Sequence, residues 1–127
     1  MWPVAFVFLG LLIGVTAIFD KPEVMRQNRF QSTSSLRASF ETWADAQHFE
    51  GVGLIQVPHE LKGLTFGRPV RYAQKGQIFW YLPHVSFVDN SEGLLYSPSG
   101  SPPPEDAFYQ TKVVRQFDGH WFWITTT

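Results

Sequence analysis

The chain has 127 residues, ten Lys and Arg against eleven Asp and Glu, and no cysteine. The near-neutral balance argues against a nucleic-acid binder that draws its affinity from counterion release, and the missing cysteines exclude disulfide scaffolds, Cys-ligated zinc, iron–sulfur centres, thiol nucleophiles and a lipoprotein anchor. Nine Phe, four Trp and four Tyr follow residue 19, far more aromatic content than a disordered tail carries, so the bulk of the chain is expected to fold as one small domain.

The first element is apolar. Trp2 to Phe19 runs for eighteen residues without a charge, which at helical rise is roughly 27 Å and close to the thickness of a bilayer core. Pro3 suits a first helical turn, and Trp2 and Phe19 stand where aromatic residues meet the membrane interfaces. Residues 1–19 therefore read as a single transmembrane anchor. The competing reading is a signal peptide cleaved after Ala17, for which Val15-Thr16-Ala17 offers small residues while a basic n-region is missing. Lys21, Arg26, Arg29 and Arg37 follow the span and no Lys or Arg precedes it, so the positive-inside rule predicts a cytoplasmic C-terminal domain; the cleaved-leader reading predicts an exported, periplasmic one. Gly10 and Gly14 form a G-x-x-x-G that either brings two helices into close contact in a self-association or simply faces lipid.

Residues 20–34 read as a juxtamembrane linker, within which Asp20-Lys21-Pro22-Glu23 has the form of a capped helix start. Polar residues from Gln31 to Ser35 break the pattern. Leu36, Phe40, Trp43, Ala44 and Gln47 then recur at helical spacing, which predicts an amphipathic helix over 35–49, ended by Gly51 and Gly53. Beyond it the period becomes two. Strands are expected over 52–57, 65–73, 77–82, 84–89, 94–97, 108–117 and 120–126, with hairpins across Gln74-Lys75-Gly76, Asn90-Ser91-Glu92-Gly93 and, as a two-residue type I′ turn, Asp118-Gly119. Ile78-Phe79-Trp80-Tyr81-Leu82 is apolar on both sides and reads as a central strand covered twice. Pro98 to Asp106, with three consecutive prolines, reads as a stiff surface loop. The expected fold is a transmembrane helix followed by a small α+β domain over 35–127, mainly antiparallel and barrel- or roll-like, with one amphipathic helix.

Chemistry-bearing patterns are sparse. His48, His59, His84 and His120 are scattered singly, no G-x-S-x-G or phosphate-binding glycine spacing occurs, and Glu105-Asp106 needs only solvent. No catalytic, cofactor or metal site is therefore assigned. Charge is segregated: Lys62, Arg68, Arg71 and Lys75 form a run without an acid, flanked by acidic stretches. They either attract neighbouring elements or face anionic lipid headgroups. In the last hairpin a two-residue turn would pair Gln116 with Trp121, Arg115 with Phe122 and Val113 with Ile124. One face would then hold Phe117, Val113, Phe122 and Ile124. The other would hold Trp121 and Trp123 beside Lys112 and Gln116, a surface suited to a protein partner, unless the amphipathic helix lies over it with Phe40 and Trp43 and makes both faces interior.

These features lead to the expectation of a non-catalytic, single-pass membrane protein that touches lipid and docks its β-rich head on another membrane-associated protein as an accessory or assembly subunit, without nucleic acid. An exported module that binds a glycan or peptide on the tryptophan face is the alternative from a different class.

Overall fold

The computed structural model describes residues 22–86 and 90–127. The expected span, with Gly10, Gly14 and the Ala17 cleavage point, lies outside the described residues, and no helix among the described residues is long and apolar enough to cross a membrane. The chain divides into two units between Ser32 and Thr33. In the first, α1 covers Pro22–Ser32, so the segment expected to be a linker is helical. Pro22 opens it without sacrificing a hydrogen bond, Glu23 stands in its first turn, and the Ser32 hydroxyl donates to the Arg29 carbonyl at 2.9 Å near its end.

The second unit begins with α2, Ser34–Asp45, which ends four residues earlier than its periodicity suggests. The physical reason lies in its last turn. Ala46 and Gln47 donate their N–H groups to the carbonyls of Trp43 and Ala44, three residues back, and the Gln47 side-chain amide adds a bond to the Trp43 carbonyl at 3.1 Å. These bonds satisfy carbonyls that a longer helix would have used.

Six strands follow: β1 Val52–Ile55, β2 Val70–Gln74, β3 Ile78–Ser86, β4 Ser91–Tyr96, β5 Thr111–Gln116 and β6 Trp121–Thr126. They form one antiparallel sheet in the order β1-β2-β3-β4-β6-β5. It is an open sheet with β1 and β5 at opposite edges, not the barrel or roll expected. Thr65 is not in a strand; a 3₁₀ turn at His59–Leu61 and a helical turn, α3 at Lys62–Thr65, bury Leu61, Leu64 and Thr65 instead. The two strands expected on either side of Pro83 are one strand, bulged between Pro83 and Val85. Gly93 stands opposite that irregularity, and a Cβ there would run into the Leu82 carbonyl and lie 2.7 Å from the His84 nitrogen. The close approach therefore needs a glycine, and Ser91–Gly93, expected as turn, belong to β4.

The last hairpin corrects a second expectation. Its loop has three residues, Asp118-Gly119-His120, because Phe117 N–H bonds the Trp121 carbonyl at 2.9 Å. The Asp118 carboxylate accepts the N–H groups of His120 at 2.8 Å and Trp121 at 2.9 Å, an Asx arrangement that widens the turn. Arg115 accordingly pairs with Trp123 and Gln116 with Phe122, and a bulge between Val113 and Arg115 restores the expected pairing of Val113 with Ile124. The extra loop residue and the bulge cancel, so only Arg115, Gln116 and Phe117, between the bulge and the turn, change face relative to β6.

Both faces of the sheet are interior over its centre. On one, α2 inserts Phe40 and Trp43: Phe40 lies 6.1 Å from Trp80 and 5.9 Å from Trp121 between ring centroids, and Trp43 lies 5.4 Å from Trp80. The rim of this contact is polar, with the Trp121 indole N–H donating to Glu41 at 2.6 Å, the Tyr96 hydroxyl to Asp45 at 2.8 Å, and Arg37 paired with Asp118 at 3.8 Å. Residues 37, 41 and 45 are four apart, so one stripe of α2 carries all three contacts. On the opposite face Ala73, Phe79, Tyr81, Leu95, Phe122 and Ile124 pack under Ala107 and Phe108 of the loop joining β4 to β5. Each large side chain so buried contributes roughly 1.5–3 kcal/mol of transfer free energy. β3 is thereby covered twice, as its uninterrupted apolar run implies.

Candidate functional site

The indoles read as a partner surface, Trp121 and Trp123, are wholly buried. They lie on the α2 face, Trp121 against Phe40 and Trp123 with its N–H on Glu92 at 3.1 Å, as in the arrangement that makes both faces interior. Lys112 and Gln116 are exposed on the edge strand β5, and the register places Gln116 with Phe122 on the opposite face from the indoles. No shared surface gathers these four residues.

The basic run is divided as well. Lys62 and Arg68 are exposed at the two ends of the α3 turn. Lys75, in the turn between β2 and β3, pairs with Asp106 at 3.7 Å. Arg71 is half-buried on the sheet face away from α2, opposite Tyr81. A single cationic plane is not formed. Among the described residues, no three of His, Asp and Glu converge as metal ligands would.

The structure instead opens a cleft of about 670 Å³ at the β1 edge, lined by Val52, Gly53, Leu54, Arg71 and the loop residues Asp106 to Tyr109. Its position follows from local sequence. Val52 and Leu54 alternate on the same side of β1 as Ala73 and Arg71 of β2, their direct cross-strand partners. The loop after the prolines descends onto this face because Ala107 and Phe108 are apolar. It is held there by Thr111 N–H on the Glu105 carbonyl at 2.7 Å and Phe108 N–H on the Thr111 hydroxyl at 2.8 Å. The two walls do not meet, and Val52 and Leu54 remain 64% and 63% exposed.

Tyr109 stands on the loop wall, 81% exposed, with a φ of +65°. A left-handed backbone costs an L-residue roughly 1–2 kcal/mol, and here the side chain it carries is almost entirely in solvent. The same residue borders a second hollow of about 650 Å³ with Pro103, Thr111 and Val113, so its ring is a ridge between two depressions. At the cleft floor the Arg71 guanidinium makes no hydrogen bond or ion pair with another described side chain.

A polar chain runs deeper on the same face, Tyr81 hydroxyl to Ser91 at 2.6 Å and Ser91 to Thr126 at 2.6 Å. Burial pushes the Tyr81 phenol above its ordinary value, although hydrogen bonds from Ser91 and Thr126 and the charge of Arg71 act against that. The phenol therefore stays neutral and serves as a structural donor or acceptor in the chain.

Sequence reasoning placed Val52 and Leu54 in a strand but not at an edge. The available signal was that this segment is short, apolar at alternate positions and free of charge. Comparison of the chain with protein-family models, with curated proteins and with solved structures finds no match.

Proposed function

We propose that this chain is a non-catalytic accessory or assembly subunit, anchored by its apolar N-terminal segment, whose β-rich head docks on another membrane-associated protein. The observation that carries the reading is the cleft at the β1 edge, where Val52, Leu54 and Tyr109 expose apolar and aromatic surface side by side. Aromatic residues and arginine next to aliphatic walls are the composition of interface anchors. Eighteen uncharged residues from Trp2 to Phe19 support the anchor. The exported ligand-binding alternative relied on Trp121 and Trp123, and with both buried it loses the surface it needed.

The test is isolation of the tagged full chain from membranes in mild detergent at native expression. A partner protein is expected to co-purify, and Leu54→Asp together with Tyr109→Ala should release it while the thermal unfolding curve stays cooperative. A lone monomer that retains no partner overturns this reading.

A further inference from the structure

We propose that the partner adds an extended strand to the free edge of β1 and sets a carboxylate against Arg71. The proposal rests on the docking reading above and specifies its mode and its chemistry. The backbone geometry comes first. Gln74 N–H bonds the Gly51 carbonyl at 2.8 Å, and the register pairs Gly53 with Tyr72 and Ile55 with Val70. Hydrogen-bonded and non-hydrogen-bonded pairs alternate along an antiparallel ladder. Val52 and Leu54 are therefore the residues whose N–H and C=O groups point away from β2. Those two residues also expose their side chains into the cleft. An added strand would find two donors, two acceptors and an apolar wall in one place, which is how strand addition combines affinity with side-chain selection.

The two edges of the sheet differ in the way expected if one is kept closed and the other is used. β5 carries Lys112, Arg115 and a bulge after Val113, all devices that discourage edge pairing. β1 reads Val52-Gly53-Leu54-Ile55 and has no charge, proline or bulge.

Charge selects the occupant. Arg71 stands directly across from Leu54 and lines the cleft, while the other charged group there, Asp106, already faces Lys75. A carboxylate on the incoming strand would give the guanidinium a paired, charge-assisted hydrogen bond in partly desolvated surroundings. A second copy pairing through β1 alone would bring Val52, Gly53, Leu54 and Ile55, none of which carries a carboxylate.

The experiment uses the full-length, isotope-labelled chain in mild detergent. The probes are two capped seven-residue peptides alternating valine and threonine, one with a central glutamate and one with a central lysine. The glutamate peptide is expected to bind roughly tenfold more tightly than its lysine counterpart, the usual worth of a hydrogen bond to a charged group, and to slow hydrogen exchange at the Val52 and Leu54 amides. Arg71→Glu should reverse the preference. Leu54→Pro should abolish binding, since it removes an outward N–H and leaves the ladder to β2 intact. Absence of peptide binding, or binding without protection of those two amides, overturns strand addition. Protection of the same amides with rising protein concentration and no peptide overturns it in favour of self-pairing. If a partner still co-purifies and is lost with Leu54→Asp, the docking reading survives either of these failures; if none co-purifies, that reading is what fails.

Discussion

The indole N–H of Trp121 donates to the carboxylate of Glu41 at 2.6 Å, tying a fully buried ring of β6 to the polar stripe of α2. The two residues are eighty positions apart, so this one bond joins the first helix of the head to its last strand. Glu41→Ala leaves the donor buried without an acceptor and is expected to cost about 1–3 kcal/mol of stability. Trp121→Phe added to it should cost less than the two changes summed, because the donor is then gone too. Urea unfolding of the four proteins of this cycle measures the coupling, and strict additivity would show the bond to be idle.

Tyr96 sets the behaviour at high pH. Burial, and then its hydrogen bond to Asp45 and the charges of Asp45 and Glu41, raise its phenol far above the ordinary 10.0. The unfolded chain therefore loses this proton first, and stability is fully present below about pH 10 and falls as pH rises beyond it. Tyr81, raised by burial, acts in the same direction. Tyr96→Phe should be less stable at neutral pH yet show a shallower alkaline decline in its urea midpoint. An unchanged slope would remove Tyr96 from the account.

Gly93 permits the bulge of β3 at Pro83 and His84 by bringing β4 against backbone atoms. Gly93→Ala has no flexible side chain to displace and should lose about 1–3 kcal/mol or more, read as a lower thermal midpoint. Gly119→Ala, where nothing lies within 4 Å of an added Cβ, is the control and should be close to neutral.

Tyr109 trades stability for surface. Tyr109→Gly relieves a left-handed backbone at φ +65° and is expected to stabilise the head by about 1 kcal/mol while weakening partner capture. A variant that gains stability and keeps its partner would assign the strain no docking role.

Orientation is the remaining expectation, and Lys21, Arg26, Arg29 and Arg37 after the apolar segment carry it. A reporter active only outside the cytoplasm, fused after Thr127, should be silent in the natural chain. Replacing Lys21, Arg26 and Arg29 with Gln and adding two lysines after Met1 should switch it on. Strong activity in the natural chain would place the head outside the cytoplasm and overturn this orientation.

Much of the fold is local in origin and was legible residue by residue. Pro22-Glu23 starts α1, the spacing of Leu36, Phe40, Trp43 and Ala44 makes α2, and the run from Ile78 to Leu82 marks a strand covered on both faces. Periodicity reports which positions share a face, and those elements depend on little else. It does not report what lies over that face. Trp121 and Trp123 stand beside polar positions in sequence, and only the return of α2 across the sheet turns them from surface into core. The loop length at Asp118 and the bulge at Val114 escaped for a related reason. A side chain that captures two N–H groups outcompetes the two-residue turn, and the compensating bulge is set by the register of the pair, not by either strand alone. The candidate site was hidden most deeply. Val52, Leu54, Arg71 and Tyr109 are scattered through the chain, and which strand becomes an edge is decided by the pairing order of all six. Composition and spacing thus determined the elements and their apolar faces, while the tertiary structure alone decided which of those faces the head buries and which it leaves open, because burial is a property of pairs of surfaces and no single segment carries it.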